Sequence, residues 1–224
     1  VRNKRYGDGN TSMLDYHSVL ERRGDRMNLF AVKGLLMRLE LALLNKPGAY
    51  EIADELIQLC KQNELFVLTN REDELYDKNL GEETILGFYK NDLWEVTKEV
   101  FGFEKGNQTD NFCINTNQYS IYLNDLYGRA PDGSGTDNRL RFWFGKPSNY
   151  IFSKLEETSY PGTIRLPYYP EIPILRLAEV YYVACETMIG KDNVKALGYL
   201  NDVRESRNLA RLNGSYGNDE IMEF

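Results

Sequence analysis

Two helices separated by a short turn are indicated by residues 173 to 208, which read PILRLAEVYYVACETMIGKDNVKALGYLNDVRESRN. Apolar residues recur every three or four positions from Ile174 to Met188, the period of one helix face. Pro173 stands where proline is tolerated in a first helical turn, and Gly190 is a natural C-terminal stop. Asp192 is a plausible N-cap for the next helix, whose predicted buried face is Val194, Leu197, Leu200 and Val203. Because the turn is short, the two helices should form an antiparallel hairpin.

A second hairpin is predicted at residues 28 to 63. Its first helix, from Asn28 to Asn45, carries an apolar stripe at alternating spacings of three and four: Leu29, Val32, Leu36, Leu39 and Leu43. Three further residues widen this stripe and predict contact on more than one side: Met37, Leu41 and Leu44. Lys46-Pro47-Gly48 should stop the helix, and the next helix should run from Ala49 to Gln62. Its predicted apolar side consists of Ile52, Leu56, Leu59 and Cys60.

Both hairpins follow the order of long apolar helix, turn, and helix with a small alanine. This order resembles tetratricopeptide-type hairpins, in which small residues let paired helices approach closely. Two unrelated hairpins in an ordinary helical protein are the alternative. The predicted fold class is therefore mainly α, with tetratricopeptide-like helical hairpins, long irregular loops and a few short strands, in a single domain over residues 1–224.

Residues 64 to 172, between the hairpins, are rich in Asn, Asp, Gly and Tyr and have weak periodicity. Loops should dominate there, with short strands at 84–89 and 139–144. Three tyrosines and a tryptophan of this segment are predicted to be platforms on which sugar rings stack: Tyr119, Tyr122, Tyr127 and Trp143. Rings offer flat apolar faces, and the interleaved Asn and Asp side chains offer hydrogen bonds of the kind that hydroxyl-rich ligands use. Burial of individual rings in the core is the alternative.

Composition and motifs exclude several classes of function. A net charge of −7 among 224 residues gives no support to a nucleic-acid surface. No GxSxG or HExxH motif is present, and adjacent acidic pairs point apart, so we predict no catalytic residue and no enzyme. One histidine and three separated cysteines predict neither a metal site nor a cofactor. No apolar run approaches the ~20 residues that span a bilayer.

Several segments resemble the SusD-like (RagB/SusD) family of outer-membrane nutrient-binding lipoproteins of Bacteroidetes. Residues 172–182, IPILRLAEVYY, are similar to the family's "iPllRlaEvYl" helix, and Ala196 with 199–204 and 207–209 is similar to its "Al.ylN.vR" partner. Earlier matches are 26–28 with 31–33, the alanines at 49 and 53, and ETILGFY at 83–89. The resemblance implies a tetratricopeptide-like scaffold at the cell surface, a glycan or other nutrient as ligand, and a SusC-like TonB-dependent transporter as partner.

The sequence differs from the family pattern at both ends. It has no signal segment or lipidation cysteine, and it stops before the family's "EGxRxxDLxR" element. We expect a fragment lacking both ends, with membrane attachment only through a lipid anchor of the parent protein. A tetratricopeptide-type scaffold that binds a protein or peptide is the alternative function.

Overall fold

The fold is mainly helical, as predicted. The computed structural model describes residues 27–63, 65–69, 79–90, 92–93, 95–97, 113–114, 137–139, 150–151, 154 and 171–223. Its helices are α1 (Leu29–Ala42), α2 (Lys46–Asn63), α3 (Leu177–Met188), α4 (Asn193–Ser206) and α5 (Asn218–Glu223). A 3₁₀ turn at Gly81–Glu83 precedes β1 (Thr84–Tyr89), and the other strands are β2 (Cys113–Ile114), β3 (Tyr150–Ile151) and β4 (Glu171–Arg176).

Helices α1 and α2 form the first hairpin. Asn28 caps α1, because its side-chain oxygen accepts a hydrogen bond from the Ala31 backbone N–H at 2.9 Å. Leu44 adopts the left-handed conformation (φ 60°), so the chain turns there without a glycine. The prediction that residues 46–48 separate the helices is wrong, since α2 already begins at Lys46. Pro47 lies in its first turn, where a missing backbone N–H costs no intrahelical hydrogen bond.

The buried face of α1 is not the predicted one. The five residues of the predicted stripe, from Leu29 to Leu43, are 44% to 68% exposed, and Leu44 is exposed as well. Ala31, Gly34 and Met37 are buried instead. The physical reason is close packing: a β-carbon on Gly34 would collide with the buried Leu175 side chain of β4. Small residues therefore bring α1 onto the sheet, and the leucines lie on its outer side.

The second hairpin begins later than predicted. Residues 171–176 are strand β4, so Pro173 does not lie in the first turn of a helix, and α3 starts at Leu177. Strand β4 pairs antiparallel with β1, with Gly87 opposite Pro173. A two-stranded sheet has only edge strands, where proline is tolerated. The predicted strand at 84–89 is confirmed as β1, and its pairing with β4 determines where α3 begins.

The turn between α3 and α4 agrees with its sequence signals. Gly190 has a positive φ of 78°, and the Asp192 side chain caps α4 by accepting a hydrogen bond from the Lys195 N–H at 3.0 Å. Of the predicted buried face of α4, Leu197, Leu200 and Val203 are buried. Val194, in the first turn, is 83% exposed, so its assignment to that face is wrong.

Helix α2 packs against α3, and this contact joins the two hairpins around one core. Helix α2 contributes Ala49, Ala53, Leu56 and Ile57, all of which are fully buried. Cys60 and Cys185 are also buried, as expected of small apolar residues, and burial raises the pKa of each thiol to about 11. Polar contacts also connect α1 with α3 and β4, because Arg38 donates to both oxygens of Glu179 and to the Ile174 carbonyl at 2.5–2.6 Å.

Candidate functional site

The four predicted ligand-contacting residues, Tyr119, Tyr122, Tyr127 and Trp143, lie outside the described residues. Residues 140–144 of the predicted second strand lie outside them too, and Arg139, its first residue, is helical. The stacking site thus stays a prediction. The described residues do show how the fold holds the two ends of the segment that contains it.

Strand pairing sets the bounds of the loop-rich segment, which from here on means residues 90–170. Tyr89 of β1 lies opposite Glu171 of β4, so residues 90–170 leave the sheet and return to it at the same end. Inside this segment, β2 pairs with β3, and Cys113 lies opposite Ile151. All four predicted site residues fall between β2 and β3 in sequence. The β2–β3 pair therefore closes the part of the chain that contains them.

One described turn fixes the middle of that part of the chain to the second hairpin. The Asn138 N–H donates to the carbonyl of Arg207, the residue that follows α4, at 3.1 Å. Beside it, Asp137 is buried and accepts from Arg139 at 2.6 Å (Nη2) and 3.0 Å (Nε). The segment with the predicted stacking residues is thus tied to the helical scaffold as well as to the sheet.

An exposed apolar pair lies at the end of the sheet where the segment departs. Phe88 of β1 and Ile172 of β4 are cross-strand partners, and they are 62% and 38% exposed. A large ring with so much free surface is a suitable platform for a flat apolar ligand face. Sequence reasoning assigned Phe88 to a strand and did not consider it for binding. Its position opposite Ile172 depends on a pairing that the sequence does not reveal.

A buried ion pair joins the start of β1 to the end of α4. Arg207 Nη1 lies 2.6 Å from Glu83 Oε1, and Arg207 Nη2 donates to Glu83 Oε2 at 2.7 Å. The Thr69 N–H also donates to Glu83 Oε1 at 2.9 Å. Both charged side chains are almost fully buried, where an ion is tolerated only with good partners. This two-pronged pair holds the sheet on the second hairpin.

Further cations surround this pair. Arg176 lies opposite Thr84 in the sheet, next to Glu83, and burial lowers its pKa. Burial, with smaller contributions from nearby Arg176, Arg139 and Arg207, lowers the pKa of Lys154 to about 8. We call the following six residues the cationic cluster: Arg139, Lys154, Arg176, Arg207, Glu83 and Asp137. Its described members comprise four cations and two acids, in a chain whose net charge is −7.

The sequence pair Arg176 and Glu179 is separated by the structure. They stand three residues apart, and charges near a core are expected to be satisfied by the backbone or by a neighbouring helix. The Glu179 carboxylate fits this expectation, because it binds Arg38 of α1. Arg176 belongs to the cationic cluster instead. The cluster draws on residues far apart along the chain, so no local motif indicates it.

A second aromatic group supports the scaffold rather than a binding site. The hydroxyl groups of Tyr50 and Tyr199 lie 3.2 Å apart, and Tyr199 donates to Asp54 at 2.6 Å. Burial, together with the bond to Asp54, raises the pKa of Tyr199. The Tyr181 ring packs edge-on against that of Tyr199, with centroids 6.3 Å apart. Since Tyr50 and Asp54 are on α2 and the others on α3 and α4, this group joins the hairpins.

The two hairpins with their connecting sheet define a SusD-like fold. The chain superimposes on a SusD superfamily protein from Bacteroides thetaiotaomicron VPI-5482 with a TM-score of 0.60, at 20% identity, over 92% of this chain and 49% of that one. A SusD-like carbohydrate binding protein from Bacteroides vulgatus ATCC 8482 superimposes with a TM-score of 0.57 at 17% identity, over 99% of this chain and 44% of that one. A putative sugar binding protein from the same organism superimposes with a TM-score of 0.56 at 19% identity, over 92% of this chain and 47% of that one.

These similarities confirm the predicted SusD-like resemblance at the level of the fold. The chain spans about half the length of the solved structures that it matches. Neither a known family model nor a curated protein matches the sequence. Within the described part of the chain, no helix is both long and apolar enough to cross a bilayer.

Proposed function

We propose that this chain is the ligand-binding part of a cell-surface nutrient-binding protein that captures an oligosaccharide and breaks no bond. The SusD-like fold carries the proposal, because it extends over nearly the whole chain. The solved relatives described as carbohydrate-binding and sugar-binding support glycan as the ligand class. In this proposal the parent protein is attached to the outer membrane by a lipid and passes its ligand to a SusC-like TonB-dependent transporter.

The proposed site lies on the segment that the β2–β3 pair closes. Sugar rings would stack there against Tyr119, Tyr122, Tyr127 and Trp143. The Asn138–Arg207 hydrogen bond attaches the same segment to the second hairpin. Phe88, exposed at the base of the segment, would add a further ring. Stacking suits a non-catalytic role, since an aromatic face binds a sugar without any group that transfers protons.

Affinity electrophoresis in gels that contain different polysaccharides tests this function. We expect at least one glycan to retard the chain, and replacement of the four predicted residues by Ala to abolish the retardation. The matched control replaces the same four residues by Phe, which keeps the ring faces and should keep most of the binding. Binding that survives the Ala variant would show that the site lies elsewhere. Release of shorter saccharides during incubation would contradict the non-catalytic role.

A second candidate function, a scaffold for a helical partner, is favoured by the exposed leucine stripe of α1. Alternation of three and four residues from Leu29 to Leu43 forms the narrow seam by which one helix packs on another. An amphipathic helix is the occupant that fits this spacing. Sedimentation velocity on the wild-type chain and on the Leu36→Lys/Leu39→Lys variant tests it. Reversible self-association that the variant abolishes would support a helix-binding face, and a monomeric wild type at high concentration would exclude a second copy of this chain as the occupant.

A further inference from the structure

We propose that the cationic cluster is a subsite for the carboxylate of an acidic sugar, with Arg176 and Lys154 as the residues that bind it. This inference rests on the proposed function and narrows its ligand class to glycans that contain uronic acids. Four independent pieces of geometry assemble the cluster apart from Lys154. They are the strand pairing of Arg176, the Glu83–Arg207 ion pair, the Asn138–Arg207 hydrogen bond and the Asp137–Arg139 ion pair.

The two acids of the cluster are already engaged by other members. Both oxygens of Glu83 are bound by Arg207, and Thr69 donates to one of them as well. Both oxygens of Asp137 accept from Arg139. Neither carboxylate makes a hydrogen bond to Arg176. Each acid of the cluster is therefore paired with another arginine, and the guanidinium group of Arg176 is left to a different partner.

Arg176 has the properties of a ligand-binding arginine. It is largely buried, and among the described residues none makes a hydrogen bond to its guanidinium group. It retains some exposure, so its donors can be reached from solvent. A guanidinium group presents two parallel N–H donors that match the two oxygens of a carboxylate. A buried charge without such a partner is unfavourable, and a bound carboxylate would relieve that cost.

Lys154 would add a second charge to the same ligand group. It is close enough to Arg176, Arg139 and Arg207 for each of them to add to the effect of burial, and together these lower its pKa to about 8. An anion placed among these cations would favour the protonated amine and raise this pKa. Lys154 is partly exposed, as Arg176 is. A neutral sugar would gain nothing from either charge.

The position of the cluster relates it to the proposed stacking site. Arg139 belongs to the segment between β2 and β3 that contains Tyr119, Tyr122, Tyr127 and Trp143. Lys154 follows that segment directly after β3. The cluster thus lies where this segment meets the scaffold, and a glycan bound by the rings could present a carboxylate there.

The experiment is a nuclear magnetic resonance titration of the intact chain with free galacturonate, followed at the Arg176 side-chain Nε–H signal in the wild type and at the backbone amide signals of β4 and α3 in the wild type and every variant. Galactose is the matched ligand control, since it has the same ring without the carboxylate. We expect a saturable shift with galacturonate and none with galactose. Arg176→Gln and Lys154→Gln should each weaken galacturonate binding by at least about tenfold, the loss of one charge-assisted contact. Circular dichroism establishes that each variant is folded.

Lys191→Gln provides the matched protein control. It removes one positive charge from an exposed site roughly 20 Å from Arg176, at the other end of the helix that Arg176 caps. It should leave the affinity unchanged. Arg176→Lys, which keeps the charge and loses the fork, should bind with intermediate affinity. If Arg176→Gln does not fold, Arg176→Lys and Lys154→Gln decide the question.

Within the titration, the subsite would be overturned by equal shifts with galactose, by full affinity in the Arg176→Gln variant, or by an equal loss in the Lys191→Gln variant. The last result would show an unspecific charge effect. Retention of a neutral glycan in gels without any response to galacturonate would refute the subsite and leave the proposed function intact. A galacturonate response without retention of any glycan would support the subsite and refute the broader function.

Discussion

Replacement of Met37 and Leu36 by alanine, one at a time, tests which side of α1 faces the core. The two residues are neighbours on the same helix, and alanine is the best helix former, so propensity contributes little to either change. Met37 is fully buried, whereas Leu36 is 44% exposed. The apolar pattern in the sequence places Leu36 on the main stripe and Met37 on its widened side, so it predicts the larger loss for Leu36→Ala. The structure predicts the opposite order of effects.

The expected magnitudes follow from these burials. Truncation of a fully buried methionine to alanine costs about 2–5 kcal/mol, because it removes buried apolar atoms and leaves a cavity. Full burial of a leucine side chain is worth about 1.5–3 kcal/mol, and a side chain that keeps nearly half of its exposure loses about half of that or less. We expect a loss of about 1 kcal/mol for Leu36→Ala.

Urea unfolding followed by far-ultraviolet circular dichroism measures both changes in the free energy of unfolding. Leu39→Ala, at an equally exposed position of the stripe, is the control and should resemble Leu36→Ala. The slope of the free energy against urea concentration should stay constant among the variants, since a change would indicate altered compactness. If Leu36→Ala costs as much as Met37→Ala, the orientation of α1 described above is wrong.

Three further predictions concern glycines, the buried ion pair and thiols. Gly34→Ala should destabilise the fold by about 1–3 kcal/mol, because the added methyl group overpacks the contact with Leu175. Gly198→Ala should stabilise the fold by about 0.5–1 kcal/mol, because its added methyl group meets open space within α4. Thermal unfolding measures both changes. Glu83→Gln should cost about 3–5 kcal/mol in urea unfolding, because it leaves a buried arginine without its counter-charge. Iodoacetamide at pH 8 should spare Cys60 and Cys185 until the chain is unfolded, as peptide mass mapping would show, since burial raises both pKa values to about 11. Those protonated thiols stabilise the fold fully below the unfolded pKa of about 8.5, and the contribution falls as pH rises towards 11.

The helices were predictable because their signals are local. Periodicity places each helix, and the Asp192 cap and the positive φ of Gly190 define the second turn. Periodicity alone does not say which side of α1 is buried. The small Ala31 and Gly34 decide that, because they permit an approach to Leu175 that a larger side chain would block. Small residues contribute little to an apolar pattern, so the pattern selected the leucine side of α1 and did not identify the side with Ala31 and Gly34.

Strand β4 was missed because its conformation depends on a distant partner. Residues 173–176 continue the apolar spacing of α3, and nothing local distinguishes the strand from an added helical turn. Hydrogen bonds to β1, roughly 85 residues earlier, select the extended form. The same limit applies to the cationic cluster, whose members come from the 3₁₀ turn before β1, from β4, from the end of α4 and from two points in the loop-rich segment. Only the fold brings them together.

Two ion pairs fix the arrangement of the scaffold elements. Arg38 binds Glu179 and so ties the first hairpin to the second, while Arg207 binds Glu83 and ties the sheet to the second hairpin. Both ties run between residues of the scaffold, and both are directional, so they fix the arrangement of elements more strictly than apolar packing does. The loop-rich segment meets this frame at the β1–β4 end and at Asn138. Because neither ion pair involves Tyr119, Tyr122, Tyr127 or Trp143, replacement of these four residues should leave both ties in place.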